Sequence, residues 1–177
     1  MRRRHLLSLT AAGLAAPAVS GAQASWPERP VRLIVPFPPG GSTDTIARIF
    51  QPKLSEALGK PVVIENRGGA SGSVGAIEAS RAAPDGYTWM LAFDPEATNQ
   101  TTMRLPYRLM QAFAPVSLVA TAPLTLVAGQ GAPWRTLEDL VAAAKRPPPG
   151  AIAYATAGVG TLAQVSTALL QQMGGFK

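Results

Sequence analysis

The most constraining feature of this sequence is a strand-like run that leads through a glycine-rich loop into a helix-like segment, an arrangement that occurs twice. Near the N-terminus VRLIVPF, residues 31–37, is rich in β-branched and apolar side chains, and PPGGSTD follows it. Near the C-terminus AIAYATAGVGTLAQV repeats the order of strand, glycine loop and helix. Strands that alternate with helices in this way predict an α/β fold with a mainly parallel sheet.

The segment after the first loop, residues 43–58, carries apolar side chains at helical spacing. Ser42 or Thr43 is its candidate N-cap, Gly59 its stop signal, and Pro52 inside it predicts a kink or two shorter helices. The other expected elements are strands at 61–67 and 87–93, a helix at about 73–82, an irregular segment at 94–114, apolar runs at 116–120 and 124–128, and a helix in TLEDLVAAAKR capped by Thr136.

The first 24 residues read as an export signal rather than as part of the fold. Arg2, Arg3 and Arg4 precede an apolar stretch at 6–19, and Ala22-Gln23-Ala24 ends the segment. A basic start, a short apolar region and an A-x-A site predict a secretory signal peptide at 1–24 and a periplasmic mature protein. The paired arginines also leave the twin-arginine export route open.

Composition excludes several classes of function. The net charge is +6, but three of the basic residues lie in the predicted signal, and those that remain are scattered without a basic stripe, which argues against nucleic-acid binding. Cysteine is absent, and cleavage of the signal would remove His5, the one histidine. A mature chain without histidine or cysteine cannot build a Ser-His-Asp triad, a histidine-based zinc site or a Cys-His pair, whereas carboxylate or lysine chemistry stays possible.

The two glycine loops are the candidate binding sites. In an open α/β sheet such loops lie at the carboxyl ends of strands, where the first amides of the next helix lack partners and attract anions. Gly40, Gly41 and Ser42 fit this description, and so do Gly158, Gly160 and Thr161. A tight turn followed by a helix cap explains each loop equally well when it is taken alone. The P-loop lysine is missing from both, which disfavours the alternative of a phosphate- or nucleotide-binding enzyme.

Four acidic residues have structural interpretations. Asp44 falls in the first helical turn, where a carboxylate favours the helix dipole. Glu65, next to Asn66 and Arg67 at the end of a strand, predicts a salt bridge or turn. Asp94 and Glu96 form a local carboxylate pair, which we expect to lie in a solvated loop because no further acid is nearby.

Longer stretches of the chain resemble a known family. WPERPVRLIVPFPPGGSTDTIAR, LGKPVVIENRGGASGSVGAIEASRAAPDGYT and AIAYATAGVGT stand in the order found in the periplasmic receptors of tripartite tricarboxylate transporters, the Bug-type receptors. The resemblance runs from Trp26 to the C-terminus. It implies a two-lobed, periplasmic-binding-protein-like α/β fold, with a first lobe at 25–120 and part of a second at 121–177.

The resemblance also implies a binding function without catalytic residues, metal or cofactor. The protein is expected to bind a mono-, di- or tricarboxylate and deliver it to membrane permease subunits, or to sense it without transport. Receptors of this family hold their ligand with two loops, one from each lobe. The matching positions here are Phe37, Pro38, Gly40, Gly41, Ser42 and Asp44 in the first loop, and Thr156, Gly158, Gly160 and Thr161 with Gln164 in the second.

The chain departs from the family pattern in two ways. Gln164 stands where the family usually has a histidine, so a titrating group is lost while a hydrogen-bonding side chain remains. Family members are also considerably longer than this chain, which predicts that the second lobe is incomplete. A fragment, a truncated reading frame, part of a split gene and a non-functional remnant are the alternatives that the sequence leaves open.

Overall fold

A computed structural model describes residues 26–177, so the predicted signal peptide lies outside the described residues. The chain forms three strands and six α-helices within that range. In chain order these are β1 (Val31–Val35), α1 (Ser42–Leu58), β2 (Val62–Asn66), α2 (Ser73–Ser80), β3 (Thr88–Met90), α3 (Asp94–Thr102), α4 (Leu109–Ala112), α5 (Leu137–Ala144) and α6 (Leu162–Gly174). A single 3-10 turn, Ala70–Gly72, precedes α2. The fold is α/β, as the alternation of elements predicts.

The three strands form one parallel sheet in the order β2-β1-β3. Val31 pairs with Val62 on one side of the central strand, and Leu33 pairs with Trp89 on the other. Because all three strands run in the same direction, the segments that follow them emerge at the same edge of the sheet. The first glycine loop follows the central strand and is therefore flanked by the ends of both neighbours.

The core lies on the face of the sheet that α1 covers. Alternate residues of β1 (Val31, Leu33 and Val35) are buried there with Ala47 of α1 and Val62. Successive side chains of a strand point to opposite faces, so Arg32 faces the other side and pairs with Glu65 and with Glu78 of α2. This packing fixes the direction in which β1 delivers the first loop.

Helix α1 differs from the sequence prediction at two points. It runs continuously from Ser42 to Leu58 with Pro52 inside it, so neither a break into two helices nor a side-chain cap by Ser42 or Thr43 occurs. Its N-cap is Gly41, and Gly59 ends it in the left-handed conformation as predicted. Pro52 is exposed, and water can therefore satisfy the carbonyl that proline leaves without an amide partner.

The segment predicted to be irregular, residues 94–114, contains α3 and α4 instead. Phe93 is the N-cap of α3; its amide donates to the Glu96 carboxylate at 2.7 Å, and Pro95 occupies the first turn. A carboxylate three residues into a helix that returns to the N-cap amide is the acidic half of a capping box. The D-P-E sequence was the available signal for this helix.

One expected strand and two apolar runs form no strand in the structure. The AIAYA run that precedes the second loop forms no strand, and neither do the apolar runs at 116–120 and 124–128. Val116, Leu118 and Val127 are each about 80% exposed there. A strand needs a neighbour to satisfy its amides and carbonyls, and nothing in the 26–177 region supplies one to these segments. Across those same residues, no helix is long and apolar enough to cross a membrane.

Candidate functional site

The first glycine loop is a tight turn that exposes backbone at the start of α1. The Gly41 amide donates to the Pro38 carbonyl at 3.4 Å, and Gly40 has φ +82°, as the third residue of a type II turn requires. The Pro38 ring lies against Gly68, where a Cβ would approach the ring at 3.1 Å. Gly40, Gly41 and Ser42 are exposed, so a ligand can reach their backbone.

Asp44 fastens this turn to the helix that follows it. Its Oδ2 accepts from the Gly40 amide at 2.8 Å and from Arg48 Nε at 2.9 Å, and its Oδ1 accepts from the Asn66 side-chain amide at 3.0 Å. Asn66 also donates to the Phe37 carbonyl at 3.1 Å. The side-chain hydrogen bond from Arg48, followed by that from the Gly40 amide, holds the pKa of Asp44 well below its usual range. Asp44 is thus a buried group that positions the loop.

The backbone amides at the start of α1 that Asp44 does not bind are able to donate to a ligand. Within residues 26–177 the Ser42 amide has no acceptor, and the Gly41 amide has only the long bond to Pro38. Both stand at the positive end of the α1 dipole. A carboxylate is the chemical group that such an arrangement binds best.

The second glycine loop repeats the first in its local geometry. The Thr161 amide donates to the Gly158 carbonyl at 3.4 Å, Gly160 has φ +79°, and Gln164 Oε1 accepts from the Gly160 amide at 2.7 Å. Gln164 therefore occupies the position of Asp44, four residues after the turn glycine. Thr161 is the N-cap of α6, and Thr156 Oγ1 lies within hydrogen-bond distance of the Gly158 amide and carbonyl.

Side chains from the first part of the chain hold the second loop in place. Ser71 Oγ donates to the Val159 carbonyl at 2.7 Å, and the Thr98 hydroxyl donates to the Gly160 carbonyl. The Leu162 amide, the first of α6, donates to the Asp94 carboxylate. These three contacts join the predicted first and second lobes, and sequence reasoning identified none of them. All three come from the turn at 70–72 and from α3, which we call the shared floor.

The first loop rests on the same floor through Phe37. A Cβ at Gly72 would lie 2.7 Å from Glu96 Oε1 and 3.2 Å from the Phe37 ring, so the ring and the carboxyl group both pack against this glycine. The Phe37 and Phe93 rings meet edge to face at 6.0 Å between centroids. Residues of both predicted loops therefore contact one small surface.

Glu96 and Asn99 are buried polar residues of that floor. Glu96 is 1% exposed, and burial raises its pKa to about 7. Its Oε2 accepts from Phe93, whereas Oε1 has no partner among the described residues, and the same holds for Asn99 Oδ1. The expected solvated carboxylate pair is wrong for Glu96: it lies inside the fold because the side chain turns back to cap α3 beneath Gly72. Glu65, by contrast, pairs with Arg32 and Arg67 as predicted.

Metal coordination finds no support in the described part of the chain. No three His, Cys, Asp or Glu side chains of residues 26–177 come together in a way that could hold an ion. The donors at the site are backbone amides and hydroxyl groups, which suit an anion.

Comparison with known proteins gives consistent matches. A family model described as tripartite tricarboxylate transporter family receptor matches residues 46–177. The chain is 39% identical over 166 residues to protein BugT of Bordetella pertussis, covering 92% of this chain and 50% of that protein. It is 37% identical over 162 residues to a UPF0065 protein of Agrobacterium vitis, covering 91% and 46%. The chain spans about half the length of the curated relatives it matches.

Solved structures agree with the sequence matches. MatC from Rhodopseudomonas palustris with bound malate superposes with a TM-score of 0.72 at 32% identity, covering 85% of this chain and 52% of that one. A second R. palustris protein, solved with adipate, has a TM-score of 0.63 at 33% identity, with 86% and 51% coverage. The periplasmic binding protein BugD has a TM-score of 0.61 at 30% identity, with the same coverage.

Proposed function

Because this chain belongs to the tripartite tricarboxylate transporter receptor family, we propose that it is a periplasmic solute-binding protein for a small organic acid. The relatives solved with malate and with adipate support a carboxylate as the ligand class. The description of the family as receptors supports a binding role without turnover. Since the chain matches about half of each relative, the function of the whole receptor is part of this proposal.

The observation that carries the proposal is the matched pair of glycine loops on one floor. Each loop places a turn glycine in the left-handed region directly before the first turn of a helix. The first loop keeps exposed amides at Gly41 and Ser42 without a strong internal acceptor in the described residues. We assign the ligand carboxylate to these amides, where the helix dipole favours negative charge.

The proposed mechanism is closure of the two loops around the ligand. The bonds from Ser71 to Val159 and from Thr98 to Gly160 are those that separation of the loops would break. A ligand that contacts both loops binds the closed arrangement better and shifts the population toward it. Closure then marks the loaded receptor for recognition.

The test of this proposal is the substitution Gly41→Leu, measured by calorimetric titration with malate and with adipate. Gly41 has φ −72°, and a Cβ there meets its nearest atom at 3.4 Å, so the fold accepts a side chain. The leucine would cover the Ser42 amide, and we expect carboxylate binding to be lost. Gly129→Leu is the matched control, because a Cβ at Gly129 meets nothing within 4 Å. Unchanged affinity in a folded Gly41→Leu variant would remove the binding-loop assignment.

Export and delivery to a permease complete the proposal. Supporting it are the signal-like segment at 1–24 and the family match. The intact mass of the protein from the periplasmic fraction should match a chain that begins at Ser25, after removal of the signal segment. Uptake of a bound acid by cells that carry the permease subunits should depend on the receptor; binding without such dependence would favour a sensing role.

A further inference from the structure

The N-terminus of α6 already holds a carboxylate from the protein itself. Asp94, in the first turn of α3, accepts from the Leu162 amide. Gln164 Oε1 accepts from the Gly160 amide, and the backbone amide of Gln164 donates to Thr161 Oγ1 at 3.4 Å. The second loop therefore has internal acceptors for most of the amides that a ligand carboxylate would seek.

The first loop lacks such an occupant. Asp44 takes the Gly40 amide and turns its remaining oxygen toward Asn66, inside the fold. The exposed Ser42 amide is left without an acceptor in residues 26–177. The two helix N-termini thus differ: one is open to an external anion, and the other is filled.

We propose that Asp94 is a specificity-determining residue that selects ligands with a single carboxylate over dicarboxylates. This inference rests on the proposed function, because it assumes that the ligand carboxylate binds the first loop. A second carboxylate at the α6 end would meet the negative charge of Asp94. No basic side chain in the described range lies within salt-bridge distance of Asp94, so no ion pair there offsets the repulsion. Unfavourable charge juxtaposition is an effective way to reject a wrong partner.

The surface beside Asp94 is apolar rather than cationic. Phe93 is 44% exposed and packs against Phe37, while Val159 and Leu162 also expose much of their side chains. Apolar side chains cover a hydrocarbon chain well, and they leave a buried carboxylate without partners. The ligand class that fits both ends is a short apolar monocarboxylate.

The test compares ligands that differ only at the far end. Hexanoate and adipate have the same carbon chain, as have 3-hydroxybutyrate and malate, and only the second member of each pair carries a distal carboxylate. We expect the full chain to bind each monocarboxylate at least about tenfold more tightly than its dicarboxylate partner, as measured by calorimetry.

The variant Asp94→Asn separates charge from structure. The asparagine keeps a side-chain oxygen for the Leu162 amide, so the loop stays in place while the negative charge is removed. We expect the ratio of dicarboxylate affinity to hexanoate affinity to rise about tenfold. Glu138→Gln, an exposed first-turn acid of α5, makes the same change in net charge and should leave both affinities as they are.

The outcomes distinguish this inference from the function on which it rests. Equal binding of hexanoate and adipate by the unmodified protein, or an unaltered ratio in Asp94→Asn, would overturn the role of Asp94 and leave carboxylate binding intact. If a folded chain bound none of the four acids, the proposed function would fail, and the inference would fail with it.

Discussion

The two glycine loops share a turn but differ in what holds them. In each, the amide of a left-handed glycine donates to the side chain four residues later, Asp44 in the first loop and Gln164 in the second. The first loop is fixed by its own helix and by Asn66 of the neighbouring strand. The second has no strand before it among residues 26–177 and depends on Ser71, Asp94 and Thr98. The same local shape can thus rest on adjacent sequence or on distant residues.

The loops also differ in charge. Asp44 is ionised and paired with Arg48, whereas Gln164 is neutral and the nearby charge belongs to Asp94. Because the local turn is the same, the open anion site differs from the filled one through Asp94, which accepts from the first amide of α6.

The largest effect should come from adding one methyl group to each turn glycine. Gly40→Ala and Gly160→Ala both place alanine near φ +80°. The conformational cost of this left-handed backbone lowers the free energy of unfolding by roughly 1–2 kcal/mol in each variant. At Gly40 the Cβ meets nothing within 4 Å, but at Gly160 it would lie 2.9 Å from Asn99 Oδ1. We therefore expect Gly160→Ala to lose roughly 2–5 kcal/mol of unfolding free energy in urea titrations. Equal losses in the two variants would mean that the second loop is not docked on α3.

Glu96, a buried residue of the shared floor, should make the stability of the protein depend on pH. Its pKa is raised from 4.5 to about 7 in the folded state, so folding favours the protonated form. The stability that the protonated Glu96 contributes is fully present below pH 4.5 and is lost as the pH rises through about 7. Between those limits the free energy of unfolding should fall by on the order of 3 kcal/mol.

Urea unfolding of the unmodified protein and of Glu96→Gln, at about pH 5 and about pH 8, measures this loss. The glutamine variant should lack most of the pH dependence, and Glu138→Gln should retain it. A Glu96→Gln protein with the full dependence would assign the titration to another group.

The hydroxyl groups that hold the second loop should contribute less. Ser71→Ala and Thr98→Val each remove one hydrogen bond to a loop carbonyl. Each substitution should lower the free energy of unfolding by about 1 kcal/mol. Amide hydrogen exchange should accelerate in the first turn of α6 and stay unchanged around Gly40. Thr101→Val is the control, since that exposed hydroxyl donates to the Thr98 carbonyl of the same helix. Faster exchange at both loops would show that the floor couples them.

The mildest change is acidification, which should affect the Gly40 amide of the first loop and leave the Gly160 amide of the second unaffected. The pKa of Asp44 is depressed, so its stabilising contribution is present above the ordinary value of 3.8 and is lost as the pH falls below it. The NMR shift of the Gly40 amide should titrate in that acidic range, and Asp44→Asn should abolish the transition. The Gly160 amide faces Gln164 and should not follow the same titration.

Sequence patterns predicted the part of the fold whose contacts are local. The β-branched run at 31–35, the stop at Gly59 and the cap at Thr136 depend on neighbouring residues, and the structure has all three. Of the two outcomes predicted at Pro52, the division into two helices does not occur. Solvent exposure of that residue, which lowers the cost of a proline, is a property of the packed helix that the sequence does not show.

The parts that sequence could not supply depend on distant packing. Glu96 looks like a surface acid until Gly72 and Phe37 are placed over it. The AIAYA run has strand composition but no partner in residues 26–177, and composition cannot reveal that. For the same reason the glycine loops could be proposed from sequence, whereas Ser71, Asp94 and Thr98 beneath the second loop could not.

The distances along the chain between bonded residues set an order of assembly. The bonds that shape the first loop join residues 4, 22 and 29 positions apart, whereas those that hold the second join residues 88, 62 and 68 apart. Closing a longer segment costs more chain entropy, and contacts between distant residues form more slowly. The first loop is therefore the earlier to form, and the second reaches its final shape only after the sheet and α3 exist. A chain that emerges N-terminus first meets these requirements in the same order.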